Sequence, residues 1–198
     1  MAVALLVVTA ACGTSGRNMA SPVPGATAPP RRPDPTTSTA IEQTPSTNEL
    51  FTLSSTAIDT ANAIGTEYTC DTVGNAPPFS WTNVPAGTVE LALVIADPDA
   101  GGFIHWFVSK IDPTTTGLGP RFAPPGAVEL KNSGGTTAYA PICPPPGKSH
   151  TYEFTLYALD SPSGLTAESD ATQALTTLAT TAIGTAVLTG VYTRNTAN

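Results

Sequence analysis

Two histidines and two neighbouring carboxylates are the side chains of this sequence best suited to chemistry. His105 and His150 are the only histidines of the 198 residues, and Asp97 and Asp99 shortly precede His105 in the segment ADPDAGGFIHW. An imidazole can donate a hydrogen bond to an anion, and a nearby carboxylate fixes its tautomer and favours its charged form. Together with the phenol of Tyr152, these groups are suited to recognising a phosphate-like oxygen.

The sequence around these residues predicts strands that position them. Residues 91–97 are apolar on both alternating faces until Asp97, which is typical of a central strand that is buried on two sides. In residues 150–157, His150 and Tyr152 lead an alternating face that becomes fully apolar after them. His105 likewise stands before strand-forming aromatic residues. We therefore expect both histidines near the beginnings of strands.

The folded part of the chain is predicted to be all-β with short helices. From residue 49 onward, short apolar stretches alternate with Pro and Gly turns, which is the pattern of a β-sandwich. The clearest helix is predicted at residues 171–182, where Asp170 can cap the N-terminus and an apolar stripe follows. A last strand is predicted at about residues 185–193.

The N-terminus predicts export. Residues 1–12 are an apolar run ending in small residues and Cys12, too short to span a bilayer, which takes about 20 residues, but typical of a signal peptide. Thr9-Ala10-Ala11-Cys12 also resembles the lipobox of bacterial lipoproteins, in which the cysteine is acylated. The alternative is a plain secretory signal with an incidental Cys12. We expect a domain in the bacterial cell envelope, lipid-anchored at the outer face of the cytoplasmic membrane, or secreted.

Two further segments complete the predicted organisation. Residues 13–48 contain seven prolines and no Leu, Phe, Tyr or Trp, which predicts a disordered linker. Residues 49–198 form the single predicted domain. The formal net charge of −7 makes nucleic acid an unfavourable partner, because the overall field repels a polyanion.

The remaining cysteines are an even pair in a predicted oxidising compartment. Cys70 and Cys143 can therefore form a disulfide. Sequence spacing does not establish that they are close, so two buried free thiols remain the alternative.

At this point a resemblance becomes specific, because several segments occur together and in order. The sequence resembles the phosphatidylethanolamine-binding protein family, in its bacterial branch named after the Raf kinase inhibitor protein. The resemblance covers roughly residues 50–194, and it is carried by the segments YTCD (68–71), PPFSW (77–81), VPAGT (84–88), DPDA (97–100), HW (105–106), YAPICPPPG (139–147), HTY (150–152), LYALD (156–160) and GVYTR (190–194).

The resemblance implies a large antiparallel sheet backed by a smaller one, with a C-terminal helix and a small anion pocket near the surface. By motif match, Asp97, His105, His150 and Tyr152 would line that pocket. Pro144, Pro145 and Gly147 would shape its wall. The implied ligand is a small anion or a phospholipid headgroup. The imidazoles would donate hydrogen bonds to the phosphate of such a headgroup, and Asp97 would pair with its ammonium group.

Three other functions remain open. His105, His150 and Asp97 resemble a two-histidine, one-carboxylate metal site with open positions. A hydrolase is disfavoured because the sequence has no Gly-x-Ser-x-Gly elbow, and Ser80 and Ser109 are more plausibly ordinary strand residues. Fold analogy alone allows a protein-interaction module, or an inhibitor of a kinase or protease at the cell envelope. We expect a non-enzymatic protein with no metal and no cofactor.

Overall fold

The computed structural model describes residues 49–120 and 123–196. The predicted leader, the predicted acylation site at Cys12 and the predicted linker lie outside the described residues. Within the described ranges, no helix has the length and apolar character needed to cross a bilayer.

Two antiparallel sheets and one α-helix make up the described part of the chain. The small sheet has the strand order β1-β2-β5 and the large sheet the order β6-β4-β3-β7-β8. The all-β prediction with a large sheet, a small sheet and a C-terminal helix is confirmed. The elements are β1 (Thr52–Ser54), β2 (Phe79–Thr82), β3 (Glu90–Asp97), β4 (Phe103–Ile111), β5 (Gly117–Leu118), β6 (Val128–Glu129), β7 (Ser149–Leu159), α1 (Ala171–Thr181) and β8 (Ala182–Thr193).

Strand β3 is the centre of the large sheet and is buried on both faces, as the sequence predicts. Leu91, Leu93 and Ile95 belong to a core shared with the small sheet. Ala92 and Val94 belong to a second core that includes α1. Burial on both sides fixes the register of β3, because a slip of one residue would exchange its two faces. The strand therefore delivers Asp97 at a defined place at the edge of the core.

The C-terminal helix and strand follow the prediction with shifted boundaries. The Asp170 side chain accepts a hydrogen bond from the Gln173 amide at 2.9 Å, which is the predicted N-cap. The helix ends at Thr181, and β8 begins at once because Ala182 is already extended and pairs with Leu159. Pairing with β7 therefore starts the strand three residues earlier than the sequence pattern indicates.

Candidate ligand-binding site

Asp97 ends β3 and organises the turn that follows. Its side chain is buried, and the residue is 3% exposed. The Ala100 amide donates to Oδ1 at 3.0 Å, and the Gly102 amide donates to the Asp97 carbonyl at 3.0 Å. Gly101 closes the turn with φ +69°, a left-handed conformation that favours glycine. The turn Pro98–Ala100 is thereby held at the end of the strand.

Asp97 also holds His150. The strands β3 and β7 pair as far as Ala96 and Glu153, so the end of β3 lies beside the start of β7. Nδ1 of His150 donates to Oδ2 of Asp97 at 2.8 Å. The neighbouring Asp99 accepts a hydrogen bond from the Thr151 amide at 2.7 Å and so ties the same turn to β7. Because Nδ1 of His150 is engaged by Asp97, Nε2 of the same ring remains available to a ligand.

His105 reaches the same place through an irregularity in β4. Ile95 pairs with Trp106 but Ala96 pairs with Ile104, so β4 contains one extra residue at His105. A β-bulge of this kind re-aims a side chain and releases backbone groups from the ladder. The released His105 carbonyl accepts from the Ala140 amide at 2.8 Å, and Nδ1 donates to the Ala140 carbonyl at 2.8 Å. Nε2 is again the nitrogen left for a ligand.

Burial sets the protonation behaviour of His105. The residue is 5% exposed, and this loss of hydration lowers the pKa of its imidazole below the ordinary 6.5. The hydrogen bond to Ala140 and the charge of Asp97 oppose that shift but do not cancel it. At neutral pH this shift favours the neutral form of the His105 ring.

Tyr152 forms the floor beneath the two histidines and does not line the cavity. The residue is fully buried, with its ring centroid 5.4 Å from that of His105 and 6.4 Å from that of His150. Burial and the nearby charge of Asp97 both raise the pKa of its phenol. Among the described residues, its hydroxyl is the one buried side-chain polar atom without a hydrogen bond of normal geometry. Such an atom is costly unless a partner arrives.

These residues surround a cavity of about 490 Å³. The predicted residues Asp97, His105 and His150 come together in its lining. Two imidazoles and two carboxylates are its ionisable groups, and the described lining contains neither Lys nor Arg, so the histidines are the lining side chains that can carry positive charge. The lining residues are Asp97, Asp99, Ala100, Phe103, His105, Ala140, Pro141, Cys143, Pro145 and His150.

The proline-rich wall differs in detail from the expectation. Residues 141–145 alternate between exposed and buried, so Pro141, Cys143 and Pro145 face the cavity while Pro144 is buried behind them. Gly147 is also absent from the lining, because it lies in a turn whose amide donates to the Arg194 carbonyl at 2.8 Å. The alternation of an extended segment is a signal that could have identified the facing residues from the sequence.

A disulfide lies in this wall. Cys70 and Cys143 are bonded, with their Cα atoms 5.3 Å apart. The alternative of two free thiols therefore does not describe the structure. Cys143 contributes to the cavity lining, a position that the sequence did not indicate.

The residues of the other two candidate chemistries, a metal site and a hydrolase, lie as follows. Within residues 49–120 and 123–196, no group of three or more His, Cys, Asp or Glu side chains is arranged to hold a metal ion. Ser80 and Ser109 lie on β2 and β4 outside the cavity lining, and Ser109 is buried.

Comparison with known proteins yields a family match over most of the described residues. Residues 54–193 match the family described as phosphatidylethanolamine-binding protein. The chain is 36% identical over 196 residues to the "Putative lipoprotein LppC" of Mycobacterium tuberculosis, covering 96% of this chain and 92% of that protein. It is 37% identical over 145 residues to a UPF0098 protein of Methanothermobacter thermautotrophicus, covering 70% of this chain and 95% of that protein.

Solved structures agree with this match. E. coli YbcL, described as a new member of the mammalian PEBP family, superposes with a TM-score of 0.68 at 30% identity, covering 73% of this chain and 99% of that one. A Chlamydia trachomatis protein described as a homologue of phosphatidylethanolamine-binding protein superposes with a TM-score of 0.67 at 33% identity, covering 74% of this chain and 99% of that one.

The environment of His105 predicts its titration. In the ligand-free protein we expect the His105 ring to titrate below 6.5, because burial disfavours the imidazolium. Resonances of the two rings, assigned by comparison with His105→Gln and followed by NMR from about pH 4 to about pH 8, measure this directly. A His105 pKa above 6.5 would contradict the burial argument.

Proposed function

Because this chain belongs to the phosphatidylethanolamine-binding protein family, we propose that its cavity binds a small phosphorylated or carboxylate ligand without catalysing a reaction. One observation carries the proposal: two histidines, each anchored through Nδ1, line the same cavity. Nε2 of each ring is then available to one ligand. Fixed ring orientations reduce the entropy that binding would cost.

Protonation supplies the attraction for an anion in this proposal. Each histidine becomes a double donor when it is charged, and Nε2–H then donates to a ligand oxygen. Since the described lining holds no Lys or Arg, an anion binds best when the rings carry protons. Bound anion in turn raises the proton affinity of His105, because the two events are thermodynamically linked.

The cavity also contains two carboxylates, Asp97 and Asp99, which differ in their availability to a positively charged group on the ligand. Asp97 is already engaged by Ala100 and His150, so it serves mainly to hold the site. Asp99 is exposed and lines the cavity, with one oxygen engaged by Thr151. Asp99 is therefore better placed than Asp97 to meet an ammonium group on a zwitterionic ligand. The sequence assigned the ammonium group to Asp97, and we now propose Asp99 in its place.

Tyr152 supports the rings from below in the proposed complex. Its ring contacts both histidine rings, which fixes the pocket floor. Its hydroxyl lies near Asp97 without a hydrogen bond of normal geometry. We therefore assign Tyr152 a positioning role.

We further propose that the domain is exported and anchored in the cell envelope through acylated Cys12. The apolar leader and its lipobox-like end support this, and so does the name of the mycobacterial relative that aligns with 96% of the chain. Two or more acyl chains give stable membrane attachment without help from the protein surface. The acidic chain is poorly suited to binding an anionic membrane by charge.

The ligand proposal predicts saturable binding of phosphate compounds. Titration with inorganic phosphate, phosphoethanolamine and phosphoserine should shift both histidine ring resonances in NMR spectra. Affinity should rise roughly tenfold or more from about pH 8 to about pH 5, because the imidazolium forms bind the anion. Phosphoethanolamine should lose more affinity than inorganic phosphate in Asp99→Asn.

Two variants sharpen that titration. Asp97→Asn should weaken phosphate binding by roughly tenfold or more, because the carboxylate that holds His150 is lost. Asp112→Asn is the matched control, since Asp112 is exposed and outside the cavity lining. If neither ring responds to any of the three compounds, the anion-binding proposal is wrong, and an interaction with another protein becomes the better account.

The export proposal predicts acylation. Expressed from its own leader in a bacterium that makes lipoproteins, the chain should be recovered from the membrane fraction with a mass that includes acyl chains on Cys12. Cys12→Ser should move it to the soluble fraction without altering phosphate binding. Recovery of unmodified wild-type chain from the soluble fraction would contradict lipid anchoring.

A further inference from the structure

We propose that the Cys70–Cys143 disulfide makes the pocket sensitive to redox conditions, because it fastens the wall that holds His105. The inference rests on the proposed anion binding, since ligand affinity is the property that reduction changes. In the oxidised protein the wall is held in place. In the reduced protein it loosens.

The wall is a short extended segment that connects the disulfide to His105. Cys143 is three residues beyond Ala140, whose backbone makes both hydrogen bonds to His105. Pro141 and Ile142 lie between them, and Pro141 and Cys143 line the cavity. Displacement of this segment therefore changes the orientation of an imidazole and the shape of the pocket together.

Outside the disulfide, a few hydrogen bonds tie this segment to residues 68–70. Ile142 forms an isolated parallel bridge with Thr69, through Cys70 N to Ile142 O at 3.0 Å and Ile142 N to Tyr68 O at 3.4 Å. The Tyr139 hydroxyl adds a bond to the Tyr68 carbonyl at 2.7 Å. The Ile142 side chain is also fully buried in the core, whereas Cys143 is exposed. The disulfide is the covalent link between the two segments, and its loss removes that restraint from Cys143.

Arg194 lies beside the same wall. Its Nη1 is 3.4 Å from Sγ of Cys143, while Nε of the same guanidinium is paired with Asp71 at 2.9 Å. Loss of the disulfide therefore also changes the surroundings of this guanidinium.

The reductant required is a dithiol, either a thioredoxin-like protein or a small molecule. Its first thiolate attacks the exposed Cys143 sulfur, which forms a mixed disulfide and releases Cys70 as a thiolate that takes up a proton. The second thiolate of the dithiol closes its own disulfide and releases Cys143 next to Arg194. Two electrons pass from the dithiol, which becomes a disulfide, to the Cys70–Cys143 bond, which becomes two thiols.

The test compares oxidised and reduced forms of the full chain carrying Cys12→Ser, so that two cysteines remain. Inorganic phosphate affinity is measured by calorimetry at about pH 6, before and after treatment with excess dithiothreitol and again after reoxidation. We expect roughly three- to tenfold weaker binding after reduction, with recovery on reoxidation. Equal affinities within roughly twofold in the two redox states would overturn the inference.

A ligand-independent signal separates this inference from the proposed function. The His105 ring resonances of the phosphate-free protein should shift on reduction, because Ala140 moves. If the oxidised chain fails to bind phosphate, the proposed function is wrong. His105 resonances that do not change on reduction would overturn the inference that the disulfide holds the His105 segment. Resonances that shift on reduction would support that inference whether or not phosphate binds.

A matched variant controls for direct effects of the reagent. Cys70→Ala/Cys143→Ala should bind phosphate weakly and ignore dithiothreitol, because no disulfide is left to reduce. Dithiothreitol sensitivity in that variant would contradict the assignment to this disulfide. Near-ultraviolet circular dichroism checks that this double variant is folded. If the double variant does not fold, the reversible change in phosphate affinity of the Cys12→Ser chain decides whether the disulfide controls binding.

Discussion

The buried carboxylate of Asp97 is the constraint on which the candidate site depends. A buried charge is tolerated only when it is paired and hydrogen-bonded. Asp97 meets this requirement with the Ala100 amide on one oxygen and Nδ1 of His150 on the other. The same two bonds shape the turn after β3 and orient an imidazole at the start of β7. Packing of β3 on both faces then fixes where this arrangement sits.

The two histidines are held by different partners, and this difference gives them different roles. His150 is held by a carboxylate, whereas His105 is held by a backbone carbonyl and is strongly buried. In the proposed complex, His105 gains its proton together with the ligand. In our proposal, such a site recognises an anion without a permanent cation in the described lining. We propose that its affinity follows pH and, by our further inference, also the redox state of its wall.

Much of the framework was predictable because it rests on local patterns. Period-two alternation identified β3 and the face of β7 that leads from His150 to Leu156, and an Asp before an apolar stripe identified the helix cap. That Asp97 and His150 lie together did not follow from any such pattern. Proximity in a sheet depends on long-range strand order, which local patterns do not specify. The family resemblance is what implied that Asp97 and His150 are close.

The details that the sequence did not indicate are those created by tertiary structure. The extra residue at His105 in β4 is a property of the pairing with β3, and the Ala140 carbonyl that orients the ring carries no side-chain signal. Of the two prolines expected in the wall, the alternation of residues 141–145 places Pro145 in the lining and leaves Pro144 buried. Asp99 was part of a recognised motif, yet its exposed place in the lining became evident only with the turn that holds it.

The central claim is that one anion is shared by Nε2 of His105 and Nε2 of His150. A crystal structure of the chain grown at about pH 5.5 with phosphate tests it most directly. Our account predicts a phosphate with oxygens about 3 Å from both Nε2 atoms, with the Nδ1 bonds to Ala140 and Asp97 kept. A phosphate bound elsewhere, with both Nε2 atoms facing only solvent, would contradict it.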